Sequence, residues 1–410
     1  MEIINLITFL LCLWVSRRNL FFIIFLLFFF VFCYARYIIA FFFDGYVLGG
    51  PEWVFPGVSS DSLSIYSNLT FYFLVVVFFI SFLTKNIVKE NYELKNKAFL
   101  SLICLFVLML MVYKASLLLS VILSQGYLAA VDLQIPMWLS IGTSSFAKPL
   151  VFLFIIVLSE RLKLSYVLII LAFLVLLSLS GQRKDLVSIL LFFTAYQLSF
   201  SRFKYVKLFI SMLLVSFLAV FIFWLREKDF SLSSSIFTDL IWSSGFSVNS
   251  GLFVIDNAEK FKLTDAWGFL NTYYYCGLGR LFSNVCSSDV RLEHSGFLLE
   301  KIASHLNFHT ETAFGGIGGN LIGSLFVGSG FNILPTSYAI MLFLLASTSL
   351  IFSIVFVFSY IRVSVVWALI VCQIIVASRY SFDGFIPPFN QLLVAIVLDT
   401  FFLLRKKKNS

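Results

Sequence analysis

The sequence predicts an all-α, polytopic helical membrane protein of about 10–11 transmembrane spans, with one large extramembrane loop late in the chain. Three observations carry that expectation. Hydrophobic residues make up 60% of the 410 residues and charged ones only 12%, where an ordinary soluble domain carries roughly a quarter. Uncharged, Phe-rich runs fill residues 1–225 and 336–404, several of them about 17–25 residues long, the length that crosses a hydrocarbon core of about 30 Å. Between them lies one polar stretch, 226–335. No stretch shows the ~10-residue alternation of an outer-membrane barrel, and only helices satisfy their own backbone in lipid without closing a barrel.

The candidate spans are 20–43, 66–84, 98–125, 146–159, 164–180, 186–200, 208–225, 336–360, 363–378 and 390–404, with the shorter apolar run 3–16 as an eleventh. That first run has no basic residue ahead of it, is followed by Arg17 and Arg18, and lacks a small-residue cleavage site, the wrong order for a secretory signal. The chain thus divides into an N-terminal bundle (1–225), the large loop (226–335) and C-terminal helices with a basic tail (336–410).

The net charge of +8 does not point to nucleic acid, because the basic residues cluster at span ends, where orientation in a membrane accounts for them. If the tail Arg405-Lys406-Lys407-Lys408 is cytoplasmic, alternation puts Arg17/Arg18, Lys85 to Lys97, Arg161/Lys163, Arg202 to Lys207 and Arg362 on the same side, more than half of the 29 Lys and Arg. The opposite loop 44–65 carries Asp44, Glu52 and Asp61 and no basic residue. The loop 226–335 is then external, periplasmic in a Gram-negative cell. Residues 312–334 are uncharged, and a re-entrant or interfacial segment is expected there, since a full crossing would invert the charge bias that follows.

Ionisable groups at membrane depth are costly and usually have a reason to be there. Ser180-Gly181-Gln182-Arg183-Lys184-Asp185 is the one short external turn that is basic. A snorkelling cation is the plain reading of Arg183; anion binding is the functional one. Arg226, in Trp224-Leu225-Arg226-Glu227-Lys228-Asp229, stands where the run 208–225 leaves the membrane on the same face, and an ion pair with Glu227 or Asp229 is its plain reading. Two outward arginines also suit a diphosphate, because the guanidinium fork bonds phosphate oxygens bidentately and stays charged at any working pH.

His294, His305 and His309 are all the histidines of the chain, and four-residue spacing puts His305 and His309 on one helical face. Only Glu293 and Glu311 lie near as further ligands, so no metal and no cofactor is expected. A histidine can instead act as a general base or donate to phosphate. Gly315, Gly319 and Gly323 recur every fourth residue, which permits close helix approach or brings backbone N–H groups to a phosphate. No Lys-Ser/Thr follows, so this is not a P-loop. Cys276 and Cys286 lie in the external loop, where a structural disulfide is open to them; Cys12, Cys33, Cys104 and Cys372 lie in spans as packing residues. Arg36, Lys114 and Lys148 sit in or beside spans and either line a polar cavity or snorkel. Arg379 and Asp383, in the last external loop, can join the same site.

This layout resembles the Wzy-type O-antigen (oligosaccharide repeat-unit) polymerases and the related O-antigen ligases. Ser-Gly-Gln-Arg-Lys-Asp at 180–185 is similar to the family's Ser/Thr-Gly-x-Arg turn opening a span, and Trp-Leu-Arg at 224–226 to the arginine at the start of the large loop. His309-Thr310-Glu311-Thr312-Ala313-Phe314 before the glycines is similar to the loop's end. The chain departs from the pattern at 325–331, where an acidic or aromatic residue is usual and Gly, Ser and apolar residues dominate. The resemblance implies glycosyl transfer between lipid-linked sugars outside a bacterial inner membrane, with no nucleotide sugar. Arg183 and Arg226 would neutralise the diphosphate as its bond to sugar breaks. His309 would take the acceptor proton or contact phosphate. Lys184, His305, Thr310, Gly315, Gly319 and Arg379 would bind substrate. Its implied partners are undecaprenyl-diphosphate-linked oligosaccharide, membrane lipid and a separate chain-length regulator.

Three rivals are weighed against this. A lipid-linked oligosaccharide flippase predicts short loops throughout and charges near the bilayer midplane, against the long loop 226–335. A membrane acyltransferase wants an early histidine within a span, and none precedes His294. The ligase shares the whole layout and is separated only by its product.

Overall fold

The computed structural model of the chain describes residues 1–42, 59–88, 90, 92–125, 133, 135–158, 164–179, 183–200, 247–263, 265, 302, 320–377 and 385–405. In chain order the helices are α1 (Glu2–Val15), α2 (Leu20–Phe29), a π-helical segment (Phe30–Ala35) running into α3 (Arg36–Phe42), α4 (Ser60–Ser81), α5 (Lys97–Gln125), α6 (Met137–Leu158), α7 (Leu164–Leu179), α8 (Arg183–Ser199), α9 (Ser247–Asp256), α10 (Leu321–Gly328), α11 (Thr336–Ser359), α12 (Val365–Ala377) and α13 (Phe389–Phe401). Two three-residue strands, β1 (Tyr92–Leu94) and β2 (Leu403–Arg405), pair antiparallel. Among the described residues five helices are long and apolar enough to cross a membrane: Leu20–Phe42, Ser60–Ser81, Lys97–Val121, Trp138–Leu158 and Thr336–Ser359. The chain is therefore an all-α protein with several apolar spans. The expected span 208–225 lies outside the described residues.

Two helices start earlier than hydropathy suggests, α4 at Ser60 rather than 66 and α6 at Met137 rather than 146. Ser59 caps α4, its hydroxyl accepting from the Ser62 N–H at 3.1 Å. In α6 the Thr143 hydroxyl donates to the Leu139 carbonyl at 2.8 Å, so a polar residue is absorbed by its own helix instead of ending it.

The chain forms two compact units. Unit 1 comprises residues 1–87, 206–360 and 373–386. Here α1 runs parallel to α4: Asn5 meets Ser67, Cys12 meets the Leu74 carbonyl and Ser16 meets Ser81, at successive turns of the same seam. Phe21, Phe22, Phe25 and Phe29 of α2 are fully buried, and Phe29 stacks on Phe73 of α4 at 4.7 Å. At one end Asn19 caps α2 through its Oδ1, while its Nδ2 donates to the carbonyls of Lys85 at 2.8 Å and Phe358 at 3.1 Å. The ends of α1, α4 and α11 therefore gather where Arg17, Arg18 and Lys85 lie.

Two pieces of the polar stretch 226–335 are not loop. The helices α9 and α10 are short and buried in all but their last residues, and they pack on each other, on α4 and, for α9, on the π-helical segment. Eight residues rise only about 12 Å, so α10 alone is too short to cross a bilayer.

Unit 2 comprises residues 88–205, 361–372 and 387–410. Its centre is α6, buried without interruption from Ala147 to Leu158 and packed against α5, α7, α8 and α13. Phe152, Phe192 and Trp367 make the aromatic core, with edge contacts at 4.8 and 5.8 Å. At one end Glu90 bridges Arg362 at 2.9 Å and Arg405 at 3.3 Å. The Tyr92 hydroxyl lies among Glu90, Arg362 and the Val363 carbonyl. Burial, then the bond to Glu90, pushes this phenol above its ordinary range. Three chain segments expected on one membrane face, around residues 90–97, 362 and 405, thus meet at one end of this unit.

Candidate functional site

Of the residues singled out in the sequence, Arg183 and Lys184 are the first two of α8. Arg226, His305, His309, Thr310, Gly315, Gly319, Arg379 and the cysteines Cys276 and Cys286 lie outside the described residues. Arg36, Lys114 and Lys148 are 3, 5 and 2% exposed, so all three are held inside the helical body and none reaches out to the protein surface.

The described part of the stretch 226–335 converges on a polar seam in unit 1, at the end of the helices opposite Asn19. The π-helical segment creates it. A π turn breaks the regular i→i−4 ladder and leaves carbonyls free to accept from elsewhere. The Cys33 carbonyl accepts from the Tyr66 hydroxyl of α4, and the Phe32 carbonyl from the Ser247 hydroxyl of α9. Asn320 ties these together: its Nδ2 donates to Tyr66 Oη and to the Ser247 carbonyl, both at 3.0 Å. Its Oδ1 accepts from the Gly323 N–H at 2.9 Å and so caps α10.

Two glycines let the seam close. A Cβ on Gly251 would stand 2.7 Å from the Asn320 side chain and 2.8 Å from Tyr66. A Cβ on Gly323 would stand 3.1 Å from the Gly251 backbone. For Gly323, close helix approach is thus the role the structure gives. Farther along, Gly330 takes a φ of +73°, a left-handed turn open to glycine, and Asn332 donates to the Ala258 and Phe261 carbonyls before α11 begins.

Around the seam sit Glu2, Asn5, Tyr37 and Ser67. Glu2 accepts from the Tyr37 hydroxyl at 2.9 Å and from Ser67 at 3.1 Å. Asn249 is fully buried on α9, and among the described residues neither atom of its side-chain amide has a hydrogen-bond partner. Chemically the seam is a fastening: it fixes Asn320, the residue that follows the glycine-rich segment 315–319, against two helices.

Sequence reasoning missed Tyr66, Ser247, Asn249 and Asn320. A signal was present in Ser247-Val248-Asn249-Ser250-Gly251-Leu252-Phe253-Val254-Ile255, a helical-length run of small, amide and apolar residues inside the polar stretch. No family model, curated protein or solved structure matches the chain.

Proposed function

We propose that the chain is a bacterial inner-membrane glycosyltransferase that polymerises undecaprenyl-diphosphate-linked oligosaccharide repeat units into a surface polysaccharide of the O-antigen type. In this reading about ten or eleven helices cross the membrane, the region 226–335 faces the periplasm and the basic tail faces the cytoplasm. The observation that carries it is the sequence Ser180-Gly181-Gln182-Arg183, with Arg183 the first residue of helix α8 in a chain of several apolar spans.

The chemistry needs charge where the carrier diphosphate departs. A guanidinium at the first turn of a helix adds its charge to the positive end of the helix dipole. Arg226, at the start of the external region, supplies a second fork for the same group. His309 takes the proton of the acceptor hydroxyl or holds phosphate, and Asn320 secures the segment that carries it. Phe-lined helices suit a polyprenyl tail.

Complementation tests this. In a strain deleted for the chain, Arg183→Ala and Arg226→Ala should each fail to restore polymer, leaving a single repeat on the lipid core. Unchanged polymer length and amount in both variants would sink the assignment. A polymer that accumulates on the carrier lipid without reaching the core would identify a ligase instead.

A further inference from the structure

Between α5, α6 and α7 unit 2 carries an elongated cleft of about 200 Å³. One wall is a single stripe of α5, on which Lys97, Ser101, Cys104, Leu105 and Leu108 recur at the three- and four-residue steps that keep side chains on one helical face. From Lys97 to Leu108 that stripe is about 16 Å long. Phe154 of α6 and Tyr166 of α7, with rings 5.4 Å apart, stand on the other wall, and Leu94 of β1 lies at the Lys97 end. Lys97, Ser101 and the Tyr166 hydroxyl apart, the lining is apolar. Leu105 is 53% exposed, so the cleft opens on the outer surface of α5, where Phe99, Leu102, Phe106 and Met109 are also more than half exposed. This helix is one of those long and apolar enough to cross a membrane.

The turn before α5 fixes the cation at the end of this cleft. Asn96 takes a φ of +47° and donates from Nδ2 to the Phe401 carbonyl at 3.3 Å, and the Lys95 N–H donates to the Phe402 carbonyl at 2.9 Å. Phe99 stacks on Phe402 at 6.0 Å. The nearby acids are engaged or turned away. Glu90 pairs with Arg362 and Arg405, and Glu93 points to the opposite face of β1 from Leu94. Ser101 gives its proton to the Lys97 carbonyl at 2.9 Å. Among the described residues no carboxylate pairs with Lys97, whose side chain is exposed at the mouth of the cleft.

From this arrangement we infer that the cleft holds one acyl chain of an anionic phospholipid, with the lipid phosphate at Lys97. The shape suits a chain: the cleft is long, apolar along its length and open to the surface that α5 offers to lipid. The charge suits the headgroup: a cation stands at one end only, where a phosphate attached to that chain would lie. Lys95, exposed two positions earlier, adds to the positive field. A zwitterionic lipid brings its own ammonium to the same place, so a net negative headgroup, as in phosphatidylglycerol, is preferred. The cleft stands on unit 2 alone, whether or not the chain makes polymer.

Photocrosslinking tests this. The full chain is placed in phosphatidylcholine nanodiscs that contain a trace of lipid with a photoactivatable acyl chain, either phosphatidylglycerol or phosphatidylcholine, and the labelled residues are mapped by mass spectrometry. The phosphatidylglycerol probe should label the cleft walls, around Leu105, Phe154 and Tyr166, about fivefold more than the phosphatidylcholine probe, the gain from one lysine beside an anionic headgroup. Unlabelled phosphatidylglycerol should compete this labelling away. In Lys97→Gln the preference should vanish, and in Lys85→Gln, which removes a cation of unit 1, it should stay. Leu105→Trp, which fills the cleft from an exposed position, should abolish labelling at Phe154 and Tyr166 by both probes. Equal labelling by the two probes in the parent overturns the site, and it does so even where a variant fails to fold. An undiminished preference in Lys97→Gln, or undiminished labelling in Leu105→Trp, overturns it as well. Polymer is not read in this experiment, so its failure would leave the proposed function untouched.

Discussion

The two units each place a polar layer among apolar helices, and they build it from different groups. In unit 1 the centre of the layer is a chain of neutral groups bonded to one another: Tyr66 to Cys33, Ser247 to Phe32, Asn320 to both neighbours and to its own helix. In unit 2 the layer holds two buried lysines, Lys114 and Lys148, with the Lys114 ammonium 3.5 Å from the Thr143 hydroxyl, and the amides of Asn390 and Gln391 bonded to Ser145 and Ser144. The first is what a fastening needs, because a buried polar network stabilises only when it is satisfied. The second keeps buried cations inside the helical body. The helix irregularities differ accordingly: a π segment whose freed carbonyls are taken by side chains, and a proline that removes a donor beside a cation.

The largest effect should come from the fastening. Asn320→Ala removes the cap of α10 and both donors of its amide, leaving Tyr66 Oη and the Ser247 carbonyl buried without them. A lost cap costs about 1 kcal/mol and a stranded buried group about 1–3 kcal/mol, so the variant should be less stable by roughly 2–4 kcal/mol. Thermal unfolding of purified protein in detergent reads this. A midpoint within a degree of the parent would mean the seam is not what holds α10.

Glycines sharpen the contrast. At Gly251 the added methyl meets Asn320 and Tyr66, two side chains locked in the network, so Gly251→Ala should cost about 1–3 kcal/mol through overpacking. At Gly142 of α6 the methyl would stand 3.2 Å from Leu110 Cδ1, the end of a flexible side chain. There the helix gain of up to about 1 kcal/mol for Ala over Gly should win or cancel. Melting the two variants side by side checks it: equal losses would mean that unit 1 is no more tightly packed than unit 2.

Much of the helical body was legible in the sequence, because uncharged runs of span length have one physical solution in lipid. The starts of α4 and α6 were not, since Ser60, Asp61 and Thr143 to Ser145 look polar until Ser59 is seen to cap one helix and the Thr143 hydroxyl to bond its own helix in the other. The buried helices α9 and α10 were hidden for a different reason. Ser247 pairs with Phe32, and Asn320, the cap of α10, pairs with Ser247 more than 70 positions away; such pairings leave no local periodicity. The burial of Lys148 was equally unreadable: apolar flanks are the same for a snorkelling cation and an enclosed one. The arginines and His309 were legible as residue types in a layout, and it is their external placement that the complementation experiment addresses.

The smallest effect should come from the other end of unit 2. Glu90 pairs with Arg362 and Arg405, but those side chains are 52 and 56% exposed, so solvent and salt screen both pairs. Glu90→Gln keeps the shape and a hydrogen-bond acceptor for Tyr92, and should cost about 1 kcal/mol or less. The loss should shrink further between low and high salt, whereas the Asn320→Ala loss, which involves no ion pair, should not change with salt. Melting curves of both variants at two ionic strengths make the comparison. A salt-independent loss at Glu90 as large as that at Asn320 would mean that the Glu90 pairs hold unit 2 as firmly as the neutral seam holds unit 1.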